Sequence, residues 1–107
     1  MIVAEKTKLI LQGLKVGQPY TETITIANIG NSEVTITPWS SCGCTQAELA
    51  INSSVLIPNM KTKLKVTYTP PAEGMDEKEF GVRFKIKDQT YKLVVTIIAN
   101  NKPATDG

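Results

Sequence analysis

The sequence has no histidine, two cysteines and one tryptophan, and aromatic residues make up 6% of its 107 residues. Histidine is the commonest general base and a frequent metal ligand, so its absence removes the usual partner of a nucleophilic cysteine or serine. Two cysteines fill about half of a tetrahedral metal site, which takes about four ligands. The sequence therefore predicts a protein that is not an enzyme and that carries no metal or other cofactor.

The chain also lacks long apolar runs and a strong excess of charge. No apolar run approaches the roughly 20 residues that cross a membrane, and residues 1–8 lack the pattern of a signal peptide. The net charge of +2 and the pI of about 8.6 are too mild for a typical nucleic-acid-binding domain. We expect neither a membrane nor a nucleic acid as partner. If the protein is cellular, we expect a cytoplasmic location, in which structural disulfides are not expected.

Apolar and polar residues alternate along most of the chain, with the period of two that is typical of half-buried β-strands. Residues 21–27 carry Ile24 and Ile26 on one face, and residues 33–37 repeat the pattern after a turn predicted at residues 28–31, where Gly and Asn tolerate positive φ. These two runs are predicted to form a hairpin or adjacent strands. Further strands are predicted at residues 7–11, 61–69, 80–87 and 91–99, and residues 47–51 fit either a short strand or one helical turn.

About seven short strands at regular spacing, with turns between them and no helix, indicate an all-β sandwich of antiparallel strands. Residues 1–107 are enough for one domain with a single core. The polar tail, residues 100–107, should be mobile unless another group holds it. The acidic residues Asp76, Glu77 and Glu79 are interpreted as part of a solvated loop.

Both cysteines lie in one short motif, Ser41-Cys42-Gly43-Cys44-Thr45. Their thiolates, helped by Met60 or Met75, suit a soft cation such as Cu(I). A disulfide within so short a segment is disfavoured, because the Cα spacing and the Cβ directions oppose closure. We favour a structural interpretation, in which Gly43 takes an unusual φ in a tight turn and the thiols pack against the end of the sandwich.

Three apolar side chains are candidates for a protein interface. Trp39 and the proline before it are predicted to end a strand. Trp39 fits either an interface anchor or a plug at the end of the core. Val94 and Ile98 lie on the side of the last strand that faces away from the core, where a polar residue is expected. Such a face indicates cover by the N-terminal residues Ile2 and Val3 or by another subunit.

Basic side chains form two rows with the spacing of a strand face. The first row, Lys61, Lys63 and Lys65, suits an acidic protein surface, an acidic peptide or a phosphate backbone. For either row alone we favour a solvated face whose charges block edge-to-edge aggregation. Nucleic acid is poorly supported, because no aromatic residues are interleaved for stacking. The second row is Arg83, Lys85 and Lys87.

Several of these segments resemble, in the same order, a bacterial and phage domain family of unknown function that carries a Ser-Cys-Gly-Cys-Thr motif. That family is similar to the Hydin-type and major-sperm-protein-like immunoglobulin sandwiches. The resemblance implies an immunoglobulin-like β-sandwich of about seven antiparallel strands and a scaffolding or docking role without catalysis. Where the family usually has Pro-Gly, this chain has Pro58-Asn59, and asparagine can serve the same turn. The segments are Asn28-Ile29-Gly30, the Val-Thr-Ile run after it, residues 41–45, Ile57-Pro58 and Tyr68-Thr69-Pro70.

Three functional hypotheses follow. The first is a structural docking module, most consistent with a phage virion component such as a head decoration, neck or tail attachment protein. Its partners would be other virion proteins, with a homo-oligomer as a further expectation, and its location would be the virion. The second is an intracellular adaptor that binds acidic peptide segments through the lysine rows. The third is a soft-metal protein centred on Cys42 and Cys44.

Overall fold

The computed structural model of the protein describes residues 1–50 and 54–104. The strands within these ranges form a four-stranded sheet and a five-stranded sheet that pack face to face around one core, which confirms the predicted all-β sandwich. Within the described ranges, the structure holds no helix of the length and apolar character that a membrane crossing requires. In chain order the strands are β1 (Ile2–Ala4), β2 (Lys8–Lys15), β3 (Tyr20–Asn28), β4 (Val34–Ser40), β5 (Thr45–Leu49), β6 (Val55–Leu56), β7 (Lys61–Tyr68), β8 (Gly74–Ile86) and β9 (Gln89–Lys102). The sheet orders are β1-β3-β7-β5 and β2-β9-β8-β4-β6.

The described part of the chain has nine strands, more than the sequence pattern predicts, because β1 and β6 are too short to show alternation. One pair, β2 with β9, is parallel, whereas the prediction had every strand antiparallel. The strand predicted at residues 7–11 extends to Lys15, since Gly13 takes a φ of 74° and accommodates a bulge in the pairing with β9. The segment 47–51 forms the strand alternative, β5, and residue 51 lies outside the described residues.

Strands that follow each other along the chain mostly lie in opposite sheets. Among the described strands, only β8 and β9 are both consecutive and paired. The predicted hairpin of residues 21–27 and 33–37 is therefore wrong, because β3 lies in the four-stranded sheet and β4 in the five-stranded one. Each crossing carries the chain from one sheet to the other, so that consecutive strands contribute side chains to the two inner faces that pack together in the core.

Asn28 holds the crossing from β3 to β4, the connection that the sequence pattern had wrongly indicated to be a hairpin. Its side chain is 0% exposed, and its Nδ2 donates to the carbonyl oxygens of Ser32 and Leu56, both at 2.9 Å. Its Oδ1 accepts the Gly30 N–H at 2.9 Å. The turn at residues 28–31 is confirmed, but it is held by this buried amide and not by positive φ. Asn59 has a φ of 67°, which confirms that asparagine serves the turn after Pro58.

The core is built from the inward side chains of both sheets. Inward residues of β3 and β7 face those of β8 and β9, with the alternation that the sequence predicts. Burying one aliphatic side chain of this size contributes about 1.5–3 kcal/mol, so the interlock of the two faces dominates the stability. The most deeply buried apolar side chains are Ile24, Ile26, Ile36, Leu56, Leu64, Val66, Tyr68, Phe80, Val82, Val95, Ile97 and Ala99.

The long hairpin of β8 and β9 overturns two expectations from the sequence. The acidic cluster is part of a strand and not of a loop, because β8 begins at Gly74 and pairs with β9 along its whole length. The polar tail is likewise a strand as far as Lys102, and Asn101 is 5% exposed. Residues 105–107 of the predicted tail lie outside the described residues.

A polar cluster closes the end of the sandwich at which β8 begins and β9 ends. The Tyr68 hydroxyl donates to Oδ2 of Asp76 at 2.6 Å and accepts from Nδ2 of Asn101 at 2.9 Å. Burial and the hydrogen bond to Asp76 raise the pKa of Tyr68 to about 12. Burial by itself would raise the pKa of Asp76, but the hydrogen bonds from Tyr68 and Lys78 and the Lys78 charge outweigh it and hold that pKa below its usual value. The cluster therefore favours neutral Tyr68 beside ionised Asp76.

We predict that Tyr68→Phe lowers the free energy of unfolding at pH 7 by about 1.5–3 kcal/mol, the range for a hydrogen bond to a charged group. Urea unfolding checks this. Tyr91→Phe is the matched control, since the Tyr91 hydroxyl is exposed and donates to Gln89. Equal losses in the two variants would contradict the role of the cluster.

The same cluster predicts losses of stability in acid and in alkali. The pKa of Asp76 is lowered by folding, so its contribution is present above its unfolded pKa and is lost as the pH falls through the folded value. The pKa of Tyr68 is raised, so its contribution is present below its unfolded pKa of about 10 and is lost as the pH rises towards 12. Tyr68→Phe should therefore flatten the alkaline limb of a pH series of urea midpoints. Part of the loss of stability in alkali should remain in this variant, because the pKa of Tyr20 is also raised, by its hydrogen bond to Glu22.

Candidate protein interface

The outward side of the five-stranded sheet, called here the outer face, carries three of the candidate residues. Trp39 of β4 pairs with Gly81 of β8, and Gly81 pairs with Val94 of β9. Their neighbours along each strand, such as Val82 and Val95, are 0% exposed and point into the core. Strand alternation therefore aligns Trp39, Gly81 and Val94 in one row across the outer face.

The Leu93 backbone leaves no room for a side chain at Gly81, and the indole packs beside this bare strand position. A Cβ on Gly81 would run into the carbonyl of Leu93 and would lie 3.4 Å from Nε1 of Trp39. On the other side of the ring, Nζ of Lys92 lies 4.2 Å from the ring centroid, which is cation–π geometry. The indole is held between backbone and a cation, half-buried on the sheet surface. The interpretation of Trp39 as a plug at the end of the core is wrong, and its role as an interface anchor stays a prediction.

Pro38 does not end β4, which continues to Ser40. The Ser41 N–H donates towards β8, to the Glu79 carbonyl at 2.9 Å, whereas the Ile36 N–H donates away from β8, to Ser54 at 2.7 Å. Two residues along the strand, Pro38 has the same backbone orientation as Ile36. The position where its N–H would be therefore faces away from β8, towards the open sheet edge beyond the end of the short strand β6. A proline is tolerated at such an edge, and Trp39 is thereby kept in register with β8.

Ile98 lies on the same face, next to the edge strand β2. It pairs with Ile10, which is 64% exposed, while Ile98 and Val94 are half-buried. The expected cover by the N-terminal segment is wrong, because β1 pairs with β3 in the other sheet and Ile2 is inside the core, at 2% exposure. Nζ of Lys92 lies over the Trp39 ring, and both Trp39 and Val94 are half-buried.

The charged residues of the outer face are segregated along β8. Glu77 and Glu79 precede Gly81, and Arg83 and Lys85 follow it, all four exposed. Lys92 pairs with Arg83 and adds to the basic end. Of the predicted second basic row, Lys87 instead lies in the β8–β9 turn, with a φ of 56°. Along β8 the outer face is therefore acidic before Gly81 and basic after it, while the exposed Lys8 of β2 lies in the same row as Glu79.

The lysine row lies on the opposite side of the molecule. Lys61, Lys63 and Lys65 share the outward face of β7, as predicted, in the four-stranded sheet. Nζ of Lys63 donates to Thr25 at 2.8 Å, and Nζ of Lys65 lies 3.4 Å from the Glu48 carboxylate. Part of the row is thus engaged within its own sheet. The six candidate interface residues are divided between two opposite surfaces.

The cysteine motif forms the crossing from β4 to β5, called here the CGC corner (residues 41–45). Oγ of Ser41 accepts the Glu79 N–H at 3.0 Å, which attaches the corner to the five-stranded sheet. The Cys44 carbonyl accepts the Thr69 N–H at 2.8 Å, and Thr45 is 1% exposed, which attaches it to the four-stranded sheet. The corner is a tie between the two sheets, in agreement with a structural role.

Two details of the corner differ from the prediction. Cys42 and Cys44 are joined in a disulfide, with Cα atoms 5.2 Å apart, which is within the range that such a bond requires. Gly43 is not among the described residues with positive φ, so a bend without a left-handed residue brings the cysteines together. Met60 cannot help them bind a metal, because it precedes β7 while the corner contacts the far end of that strand, roughly 23 Å away. Among the described residues no group of three or more His, Cys, Asp or Glu side chains is placed to hold a metal ion.

Comparison with known proteins places the chain in a family. Residues 2–103 match the family model described as "Protein of unknown function (DUF1573)". The chain belongs to the DUF1573 family. This agrees with the predicted resemblance to a domain family of unknown function, while the cysteine motif as a family feature and a bacterial or phage origin stay predictions. A search of curated proteins gave no match.

Solved structures show the same fold as this DUF1573 domain. PapD-like domain 7 of human CEP192 has 11% identity and a TM-score of 0.74, over 97% of this chain and 87% of that one. WR4, an MSP family member of C. elegans, has 13% identity and a TM-score of 0.68, over 92% of this chain and 97% of that one. The Vibrio cholerae VesB protease has 12% identity and a TM-score of 0.74, over 92% of this chain but 31% of that one. Such identities show the fold alone, and they confirm the immunoglobulin-like β-sandwich.

The sequence pattern did not identify Gly81, Lys92 and Ile10 as members of the outer face. Gly81 could have been identified, because a glycine inside a strand pattern indicates a close approach of another group. Lys92 and Ile10 carried none, because their places beside Trp39 and Ile98 follow from strand order, including the parallel pairing of β2.

We predict that Gly81→Ala lowers the free energy of unfolding by about 1–3 kcal/mol, because the added methyl group must displace backbone. Gly43→Ala is the matched control, since a Cβ at Gly43 has no neighbour within 4 Å. Urea denaturation measures both. A loss at Gly43 as large as that at Gly81 would contradict the close approach of the Leu93 backbone to Gly81.

We predict that replacing Cys42 and Cys44 by serine lowers the free energy of unfolding by about 1.6 kcal/mol, the chain-entropy value for a loop of about three residues. Wild-type protein treated with a dithiol reductant should show the same loss, and the serine variant should not respond to reductant. A wild-type urea midpoint that is unchanged after reduction, verified by thiol titration, would show that the disulfide does not constrain the corner.

Proposed function

We propose that this DUF1573 domain is a non-enzymatic docking module that binds a protein of a larger assembly through its outer face. The observation that carries the proposal is the row of Trp39, Gly81 and Val94, in which a single tryptophan lies outward on a bare strand position. A core residue in its place would point inward, whereas this indole lies outward against the bare backbone of Gly81. The arrangement stabilises an apolar surface where the fold itself requires none.

The row has the physical make-up of an interface centre. Tryptophan is enriched at binding hot spots, which lie in the middle of a patch and are surrounded by polar groups. Here the indole is fixed by Gly81 and Lys92, so little side-chain entropy remains to be lost on binding. The exposed carboxylates of Glu77 and Glu79 supply a polar rim on one side. Such an anchor binds without further ordering.

A virion is the assembly that we propose, and the sequence resemblance to a bacterial and phage family, which implies a docking role, supports it. Other virion proteins would be the partners, in a head decoration, neck or tail attachment role. The immunoglobulin-like fold is compatible with this proposal because its function lies in surfaces and not in a cleft.

An adaptor for acidic peptides remains a second candidate, favoured by the exposure of Lys61 and Lys63 on the opposite face. A soft-metal role would require reduction of the disulfide between Cys42 and Cys44, because the thiolate is the metal ligand. We carry this third hypothesis no further.

We predict that Val94→Glu abolishes co-sedimentation of purified, labelled protein with its native particle in a density gradient. A charge in the middle of the row prevents desolvation of the interface. Val3→Glu is the matched control, since Val3 is a half-buried valine on the opposite sheet, and it should sediment like the wild type. If the lysine row carries binding instead, Lys61→Glu with Lys63→Glu removes it and Val94→Glu does not.

A further inference from the structure

The outward charges of β8 are arranged symmetrically about Gly81. Glu79 and Arg83 lie on either side of it at equal spacing along β8, as do Glu77 and Lys85 farther out. At a rise of about 3.4 Å per residue, each member of the inner pair is roughly 7 Å from Gly81 and each member of the outer pair roughly 14 Å. Every acidic position on one side is therefore matched by a basic position at the same distance on the other.

We propose that the outer face docks onto the outer face of a second copy of this chain, a refinement that rests on the proposed docking function. The two-fold axis would lie between the faces and run across the strands along the row of Trp39, Gly81 and Val94. That rotation reverses the strand direction and preserves the strand order, so β8 opposes β8 of the partner. Glu79 then meets Arg83 of the other copy and Glu77 meets Lys85, each twice, as an isologous interface requires.

In the part of the chain that the structure describes, these charges have no ion-pair partners. Within the described residues, none of Glu77, Glu79, Arg83 and Lys85 takes part in an ion pair. Arg83 also lies directly across from Lys92, and like charges in opposed strand positions destabilise a sheet. A carboxylate from a second copy relieves that repulsion. A shallow groove beside Arg83 and Lys85, lined also by Thr35 and Thr37, leaves space for it.

The apolar middle of the face is self-complementary in the same arrangement. Trp39 and Val94 lie on the axis row, so each approaches its own symmetry mate. Ile98 and Ile10 lie towards the β2 edge and continue the apolar surface there. The face measures roughly 34 Å along β8 and 19 Å across the five strands, from standard strand spacings, or about 650 Å² per copy. Because stable interfaces bury about 800 Å² per partner, we expect a reversible dimer.

Charge reversal tests the register without depending on a partner protein. Sedimentation equilibrium of the wild type should show a monomer–dimer equilibrium that weakens with added salt. Glu79→Lys alone or Arg83→Glu alone should raise the dimer Kd by about tenfold or more, because each opposes two like charges across the axis. An equimolar mixture of the two variants should form a heterodimer of near wild-type affinity, since both of its pairs are then opposite in sign. Lys61→Glu, on the other sheet, should leave the Kd unchanged.

A wild type that stays monomeric at all concentrations, or single variants that do not rescue each other on mixing, would overturn the self-docking proposal. The fold of every variant is checked by circular dichroism and urea midpoint, so loss of folding is not mistaken for loss of association. Failure here is separate from failure of the docking function. If the wild type is monomeric but Val94→Glu still loses the particle while Val3→Glu keeps it, the outer face binds a different protein.

Discussion

The structure depends on one constraint, the burial of alternate side chains between two sheets whose strands are supplied in turn by the same chain. Because successive strands mostly cross from sheet to sheet, each inward residue, such as Ile24 or Val82, packs against a strand distant in sequence. The connections must therefore be held at both ends of the sandwich. Asn28 does so at one end with a fully buried amide, and the cluster of Tyr68, Asp76 and Asn101 does so at the other.

Against this background the outer face is the exception that carries functional meaning. An outward position of an antiparallel sheet normally holds a polar side chain, yet Trp39 and Val94 lie there beside a glycine. Their packing leaves Nε1 of Trp39 buried without a hydrogen-bond partner in the described part of the chain. The fold gains no core from the arrangement. These features support the proposed docking function, and the segregated charges of β8 give the proposed surface a direction.

The CGC corner shows how a motif that looks reactive serves the fold. Its backbone ties one sheet to the other through Glu79 and Thr69, and its two sulfurs are bonded to each other. The sequence indicated the structural role but disfavoured the disulfide, because spacing along the chain does not reveal the bend at Gly43. The same limit applies to the acidic residues of β8, whose charge suggested a loop although the pairing with β9 makes them a strand.

Local alternation in the sequence determined the strand class of the protein, the inward faces of β3, β7, β8 and β9, and the outward positions of Val94, Ile98 and the lysine row. These follow from the period of two, which is a property of each strand alone. Which strands are neighbours was decided by tertiary structure, because pairing depends on contacts between residues far apart in sequence. Only that pairing brings Trp39 onto Gly81 beside Val94, puts Ile98 next to Ile10, and sends the lysine row to the opposite side of the molecule.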